Sequence, residues 1–207
     1  MSGTTRLALH ALSGRLEAGV DEAGRGCIAG PVTAAAVIPG PQGAKWMALG
    51  LDDSKKLGVE ARSALRERIE AEAEAWSVGW ASVEEIERLN ILQATYLAMH
   101  RAIDGLAVQP EHLLIDGNRF RPHALPHTCE IRGDCRFLSI AAASILAKTH
   151  RDAHMAGLAE AHPEYAWLEN KGYPTPAHKQ AVLDHGHTRH HRRTFRGVQG
   201  TLFSGPV

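Results

Sequence analysis

Two adjacent carboxylates, Asp21 and Glu22, stand where an apolar run meets a glycine-rich turn, in the stretch Ala18-Gly-Val-Asp-Glu-Ala-Gly-Arg-Gly-Cys-Ile-Ala-Gly-Pro31. Carboxylates at a strand end, beside exposed backbone amides and an arginine, suit a hard cation and a phosphate. Burying a core asks for no such combination. Two further acidic signals follow apolar runs, Asp116-Gly117 and Gly133-Asp134. Singly, each reads as a plain turn. Together, and with one of the three signals adjacent to a glutamate, they read as metal ligands. Four carboxylates gathered in one place repel one another until divalent cations neutralise them. Oxygen donors favour Mg²⁺ or Mn²⁺, which retain several waters. Two such ions about 3.5–4 Å apart can activate a water and stabilise the leaving oxygen in phosphodiester cleavage.

The triplet Gly24-Arg25-Gly26 would, alone, be a hairpin turn with a solvated arginine. Beside carboxylates, its glycines permit close backbone approach, its amides can hold a sugar hydroxyl or phosphate, and Arg25 can add a charge-assisted contact. Ser54, Lys55 and Lys56 fit a helix cap with solvated lysines and a grip on a phosphate backbone equally well. Tyr173 is either a packing residue or a flat surface on which a sugar or base stacks. The chain has 13 histidines, with His185, His187, His190 and His191 close together. Their spacing matches no closed zinc site and no cysteine lies near them. A solvated basic tail is expected from Gly186, with Arg189, Arg192, Arg193 and Arg196 contacting phosphates.

These residues need elements to hold them. Leu16 to Asp21 and Val32 to Ile38 read as the two strands of a hairpin, and a charged amphipathic helix is expected from Val59 to Ala75. Trp76 to Ala81 is a third strand. Ser82 with Glu85 forms a capping box that opens one helix running to about Ile103. His112 to Ile115 is a short buried strand stopping at Asp116-Gly117, and another short strand ends near Arg132-Gly133-Asp134. A helix from Phe137 to about His162 begins with the small-faced run Ser139-Ile-Ala-Ala-Ala-Ser-Ile-Leu-Ala147, which suits close packing on a sheet. Pro163 stops it, Tyr173-Pro-Thr-Pro is a turn, and Pro176 to His185 is a last helix. Strands followed by alternating helix and strand indicate an α/β domain with a mixed sheet, whose strand ends collect functional groups. Side chains alternate along a strand, so Asp21 is expected to face the metals centrally and Glu22 to reach them from the bending strand end.

Bulk properties narrow the setting. The 207 residues include 23 Lys plus Arg and 23 Asp plus Glu, so any nucleic acid must be held by a locally basic face rather than by global charge. Hydrophobic content of 44% and charged content of 22% are those of a soluble globular chain. Cys27, Cys129 and Cys135 form neither a CxxC pair nor an even set and are expected as reduced thiols. With no signal-peptide core and no apolar run of spanning length, a soluble, cytoplasmic protein without membrane contact is expected.

The segments GVDEAGRGCIAGPV, DDSKKL, LLIDGN, RGDCRFLSIAAASILAKTHRD and NKGYPTPAH, in this order, resemble the type 2 ribonucleases H, the ribonuclease HII family, over about residues 16 to 196. The resemblance implies the ribonuclease H fold: α/β, a five-stranded mixed sheet flanked by helices, with a C-terminal helical extension. One ribonuclease H-like domain over 1–207 is expected, with a catalytic core over about 16–162, the extension over about 163–196 and a tail over 197–207. The implied activity is that of an endonuclease cutting the RNA strand of RNA–DNA hybrids, and cutting 5′ of ribonucleotides embedded in duplex DNA, with Mn²⁺ or Mg²⁺, leaving a 3′-hydroxyl and a 5′-phosphate. Asp21, Glu22, Asp116 and Asp134 match the catalytic, metal-binding carboxylates. Gly24, Arg25 and Gly26 match the segment that contacts the ribose 2′-hydroxyl and its phosphate, and Tyr173 matches the tyrosine that stacks at the RNA–DNA junction. Ser54 and Lys55 complete the substrate-binding candidates, and Asp152 also falls on a family position. Arg132 stands where lysine is more usual, and HGHTRHHRRTF is richer in histidine than the family pattern. The sister type, ribonuclease HIII, usually carries a long N-terminal extension and lacks the Gly-Arg-Gly form. A monomer is expected. Gln199-Gly-Thr-Leu-Phe203 resembles the core of bacterial sliding-clamp-binding peptides, an apolar pair that either fills a partner groove or folds back on its own domain. The competing readings are a catalytically silent nucleic-acid-binding module of the same fold, and a recombinase or junction resolvase. Four clustered acids argue against the first, and Gly24–Gly26 with Tyr173 against the second.

Overall fold

The computed structural model describes residues 7–12, 14–51, 57–196 and 198. Its centre is a five-stranded sheet of β1 (Glu17–Ala23), β2 (Val32–Ile38), β3 (Ala75–Ala81), β4 (His112–Asp116) and β5 (His127–Glu130), in the order β3-β2-β1-β4-β5. The pairs β1–β2 and β2–β3 are antiparallel, whereas β1–β4 and β4–β5 are parallel. The mixed sheet expected from the sequence is therefore present. β1 continues through Glu22 to Ala23 instead of ending at Asp21, because the hairpin pairing persists to Ala23↔Thr33. β5 ends at Glu130, and Gly133–Cys135 is a single 3₁₀ turn.

Strand alternation sends side chains to two layers. Ala18, Val20, Ala34 and Ala36 pack with Ala94, Ala98, Met99 and Ala102 of α3 (Ile91–Asp104), while Ala35 and Val37 pack with Ala141, Ala142 and Leu146 of the long α4 (Leu138–Ala161) and with Leu65 and Ile69 of α1 (Val59–Glu72). The small-faced run does press onto the sheet. A Cβ on Gly19 of β1 would run into the main chain of Ser139 and Ile140, so glycine sets how near α4 comes to β1.

The capping box is formed, with the Ser82 hydroxyl accepting from Glu85 N at 3.2 Å and the Glu85 carboxylate accepting from Ser82 N at 2.9 Å. The single helix expected from there to Ile103 is two, α2 (Val83–Leu89) and α3, broken at Asn90. Asn90 adopts φ 70° and caps α3, its Oδ1 accepting from Leu92 N and Gln93 N. With ψ 163° that backbone is strained for any residue but glycine, and the capping bonds hold it, so one residue stops one helix and starts the next.

The C-terminal part holds α5 (Trp167–Asn170) and α6 (Pro176–His185), packed through Tyr165, Trp167 and Val182 onto Met155 of α4. The segment after α6 departs from the solvated tail expected for it. His191 and Arg192 are buried, and the chain bridges Ala29↔His191 beside the turn that follows β1. Among the described residues no helix is long and apolar enough to cross a membrane.

Candidate active site

Val20 of β1 faces Ile115 of β4 in parallel register, so the next residue of each strand, Asp21 and Asp116, reaches the same carboxyl edge of the sheet. Asp21 is 6% exposed, and its Oδ1 accepts from Glu22 N at 2.7 Å. Burial, then the negative charges of Glu22 and Asp116, holds its carboxyl well above the usual range, against a lowering hydrogen bond with Ser144 of α4. Glu22 is also raised, by burial first, although Arg25 Nη1 donates to its Oε1 at 2.9 Å and works the other way. Asp116 Oδ1 accepts from Gly133 N at 2.7 Å, which ties the 3₁₀ turn carrying Asp134 to the end of β4.

The structure thus brings Asp21, Glu22 and Asp116 within electrostatic reach at one edge and places Asp134 on the adjoining turn. Among the described residues, no three Asp, Glu, His or Cys side chains are arranged to hold a metal ion. Their oxygens are engaged with protein partners: Glu22 with Arg25, Asp116 with Gly133 N, and Asp21 with the Glu22 amide. The donor chemistry nevertheless fits a hard divalent cation, since the groups are all carboxylate oxygens and two are raised by burial first and by neighbouring negative charge second.

Beside the acids lies a cavity of about 480 Å³ whose lining includes Glu22, Gly24, Arg25, Ser144, Lys148 and Tyr173. Gly24 has φ 92°, and a Cβ there would meet the Arg151 guanidinium. Tyr173 is 39% exposed, and Lys148 Nζ lies 5.4 Å from its ring centroid. Lys148 is in turn paired with Asp152 Oδ1 at 2.7 Å, which accounts for Asp152 as the anchor of a cavity lysine. The turn and the tyrosine, far apart in sequence, therefore share one cavity with Glu22, the member of the acidic edge that lines it.

Ser54 and Lys55 lie outside the described residues, as does Gln199–Phe203. Arg192, expected as a phosphate contact, is not one: it is fully buried and donates to main-chain carbonyls. Arg189, Arg193 and Arg196 are exposed, as expected of a basic surface. Sequence reasoning passed over Ser144 and Lys148. With Asp152 they fall four residues apart on α4, a single stripe that helical spacing could have shown.

The sequence profile of the family described as Ribonuclease HII matches residues 18–198. Ribonuclease HII of Parabacteroides distasonis is 59% identical over 184 residues, covering 88% of this chain and 91% of that protein. Ribonuclease H2 of Pyrococcus horikoshii superposes with a TM-score of 0.76 at 24% identity, over 89% of this chain and 96% of that one. The ribonuclease HII in the PCNA:RNase HII complex from Archaeoglobus fulgidus gives 0.74 at 26% identity, over 87% and 95%. With its mixed sheet, its acidic edge and these likenesses together, the chain belongs to the ribonuclease HII family, hydrolases that cut RNA in RNA–DNA hybrids.

Proposed function

We propose that this chain nicks the RNA strand of hybrids on the 5′ side of a ribonucleotide, including a single ribonucleotide within duplex DNA, leaving a 3′-hydroxyl and a 5′-phosphate. The observation that carries this is one cavity in which Glu22, which neighbours Asp21 and Asp116 electrostatically, meets the Gly24–Gly26 turn and Tyr173. Asp21, Glu22, Asp116 and Asp134 would hold Mn²⁺ or Mg²⁺. Bound there, such cations supply Lewis acidity, easing deprotonation of water and offsetting charge on the phosphate.

The chain's own groups do the rest. Gly24 to Gly26 let the backbone approach a ribose closely enough for an amide or carbonyl to meet the 2′-hydroxyl, the group that marks RNA at a single site. Arg25, half exposed and paired with Glu22, can exchange that partner for a phosphate oxygen, which frees the Glu22 carboxylate for a cation. Tyr173 offers a ring for a sugar or base to stack on, with Lys148 keeping positive charge beside it. Excluding a bare deoxyribose follows from leaving those polar groups without a partner.

The test is a DNA duplex holding one ribonucleotide, incubated with the full chain under each metal and mapped at nucleotide resolution. A nick 5′ of the ribonucleotide is expected. Cleavage confined to long hybrids would overturn the single-ribonucleotide reading. A relative seen in complex with PCNA also supports the reading that Gln199–Phe203 engages a sliding clamp. A peptide of the last ten residues should then bind the replication clamp directly, and no measurable binding rejects that role.

A further inference from the structure

Arg192 is buried, and every nitrogen of its guanidinium faces a main-chain carbonyl: Nη1 donates to Arg25 O at 3.1 Å, Nε to Gly30 O at 2.9 Å and Nη2 to Pro31 O at 3.0 Å. Arg151 of α4 lies beside it, also buried, donating to Ala29 O, Pro31 O and Lys171 O. Two adjacent buried guanidiniums are costly, and an apolar side chain of similar volume would fill the space more cheaply. What they do that an apolar residue cannot is fix the carbonyls of the loop that runs on from the Gly24–Gly26 turn. The main chain is joined there too, with Gly30 N donating to His190 O and Arg192 N to Ile28 O, both at 2.8 Å.

The preceding residue points the other way. Thr188 N donates to His191 Nδ1 at 3.0 Å, so the ring proton of neutral His191 is on Nε2, which lies 3.2 Å from His178 Nε2. His178 Nε2 also accepts from Trp167 Nε1 at 3.0 Å. With two donors on that nitrogen, the proton of His178 must be on Nδ1, where it donates to Tyr173 O at 2.9 Å. The pair of rings is thus ordered in one tautomeric direction, from Thr188 through His191 and His178 to the main chain of Tyr173. Gly172 O completes the circuit by accepting from Ile28 N at 2.9 Å, which joins the tyrosine's segment to the loop after the turn.

We propose that the segment Thr188–Arg192 is a positioning strap that sets the Gly24–Gly26 turn and Tyr173 in register with each other, Arg192 through the loop carbonyls and His191 through His178. It deepens the ribonucleotide-reading function proposed above and rests on it. The lining of the cavity includes neither His191 nor Arg192, so both act through other residues. A buried filler would lower stability when changed, but its effect on cutting would not depend on whether Tyr173 or Arg25 keeps its side chain.

The experiment is single-turnover cutting of the one-ribonucleotide duplex by the full chain. His178→Phe is expected to slow cutting about tenfold or more, because small misplacements of a positioning group are costly. His178→Asn, whose amide can donate toward Tyr173 O in place of Nδ1, is expected to recover most of the rate. In a Tyr173→Ala background the loss from His178→Phe should vanish, since the histidine acts only through the tyrosine. If His178→Phe does not melt cooperatively, Arg192→Lys tested against Arg25→Ala carries the same cycle. Cutting at the wild-type rate by the variants, or losses that simply add, overturns the strap alone. A wild-type chain that leaves the duplex intact overturns the strap and the ribonucleotide reading together.

Discussion

Asp21 is caught between two demands, and they separate in experiment. Its carboxyl is buried beside Glu22 and Asp116, an arrangement that costs stability when no cation is present. Asp21→Asn removes a charge while keeping shape, so thermal melting in chelator should rise, by about 1 kcal/mol in stability. Cutting should fall by more than about a hundredfold, beyond what losing an outer partner of a metal ligand costs. Titrated Mn²⁺ should raise the melting temperature of the wild type and not of the variant, because a ligand that binds only the native state stabilises it. A wild type indifferent to Mn²⁺ would count against metal binding at this edge. The candidate acidic edge was legible in sequence because three acidic signals each follow an apolar run, although any one alone would pass for a turn. Arg192 was not, since a terminal arginine among histidines looks solvated until the loop it grips, far away in the chain, is seen.

Among elements, the sheet and its helices were readable from periodicity, and the small-faced run correctly announced α4 lying close on β1. Gly19→Ala tests that closeness. Its added methyl meets main chain, which cannot swing aside, so urea unfolding should show a loss of about 1–3 kcal/mol with overpacking as the cause. The break between α2 and α3 was not readable, because the apolar spacing continues across Asn90 and only its φ of 70° and its capping bonds end one helix there. Asn90→Ala loses the cap while leaving a side chain on a strained backbone, and should cost about 1–2 kcal/mol. Asn90→Gly, which accepts the backbone, should lose clearly less. Equal losses would mean that the backbone conformation contributes nothing.

At the level of the whole molecule, acid should weaken the fold through the buried histidines of the C-terminal part. Burial, reinforced by His178, His187, His190 and His162, depresses His191 to about 3, and His178 and His190 are also lowered by burial. The unfolded chain therefore takes up these protons first, starting near pH 6.5. Stability from this cluster is complete above that pH and is lost progressively as pH falls toward 3, with a slope of at most about 1.4 kcal/mol per pH unit for each histidine. Urea midpoints measured at pH 7.5 and 5.5 should differ in that direction, and His191→Phe should flatten the difference. Because residues 190–192 are bonded into the loop after β1, the described chain should also melt in one transition. An early, separate C-terminal transition would contradict it.

Arg192 and His191 lie near the end of the 207-residue chain, yet they fasten a turn close to its beginning. During synthesis the sheet edge with its acids can be assembled well before those fasteners leave the ribosome. A nascent or prematurely terminated chain would then carry its acidic groups without a settled means of choosing where to use them. For a nuclease, that order of events is protective: the blade is made first, and the hand that aims it follows.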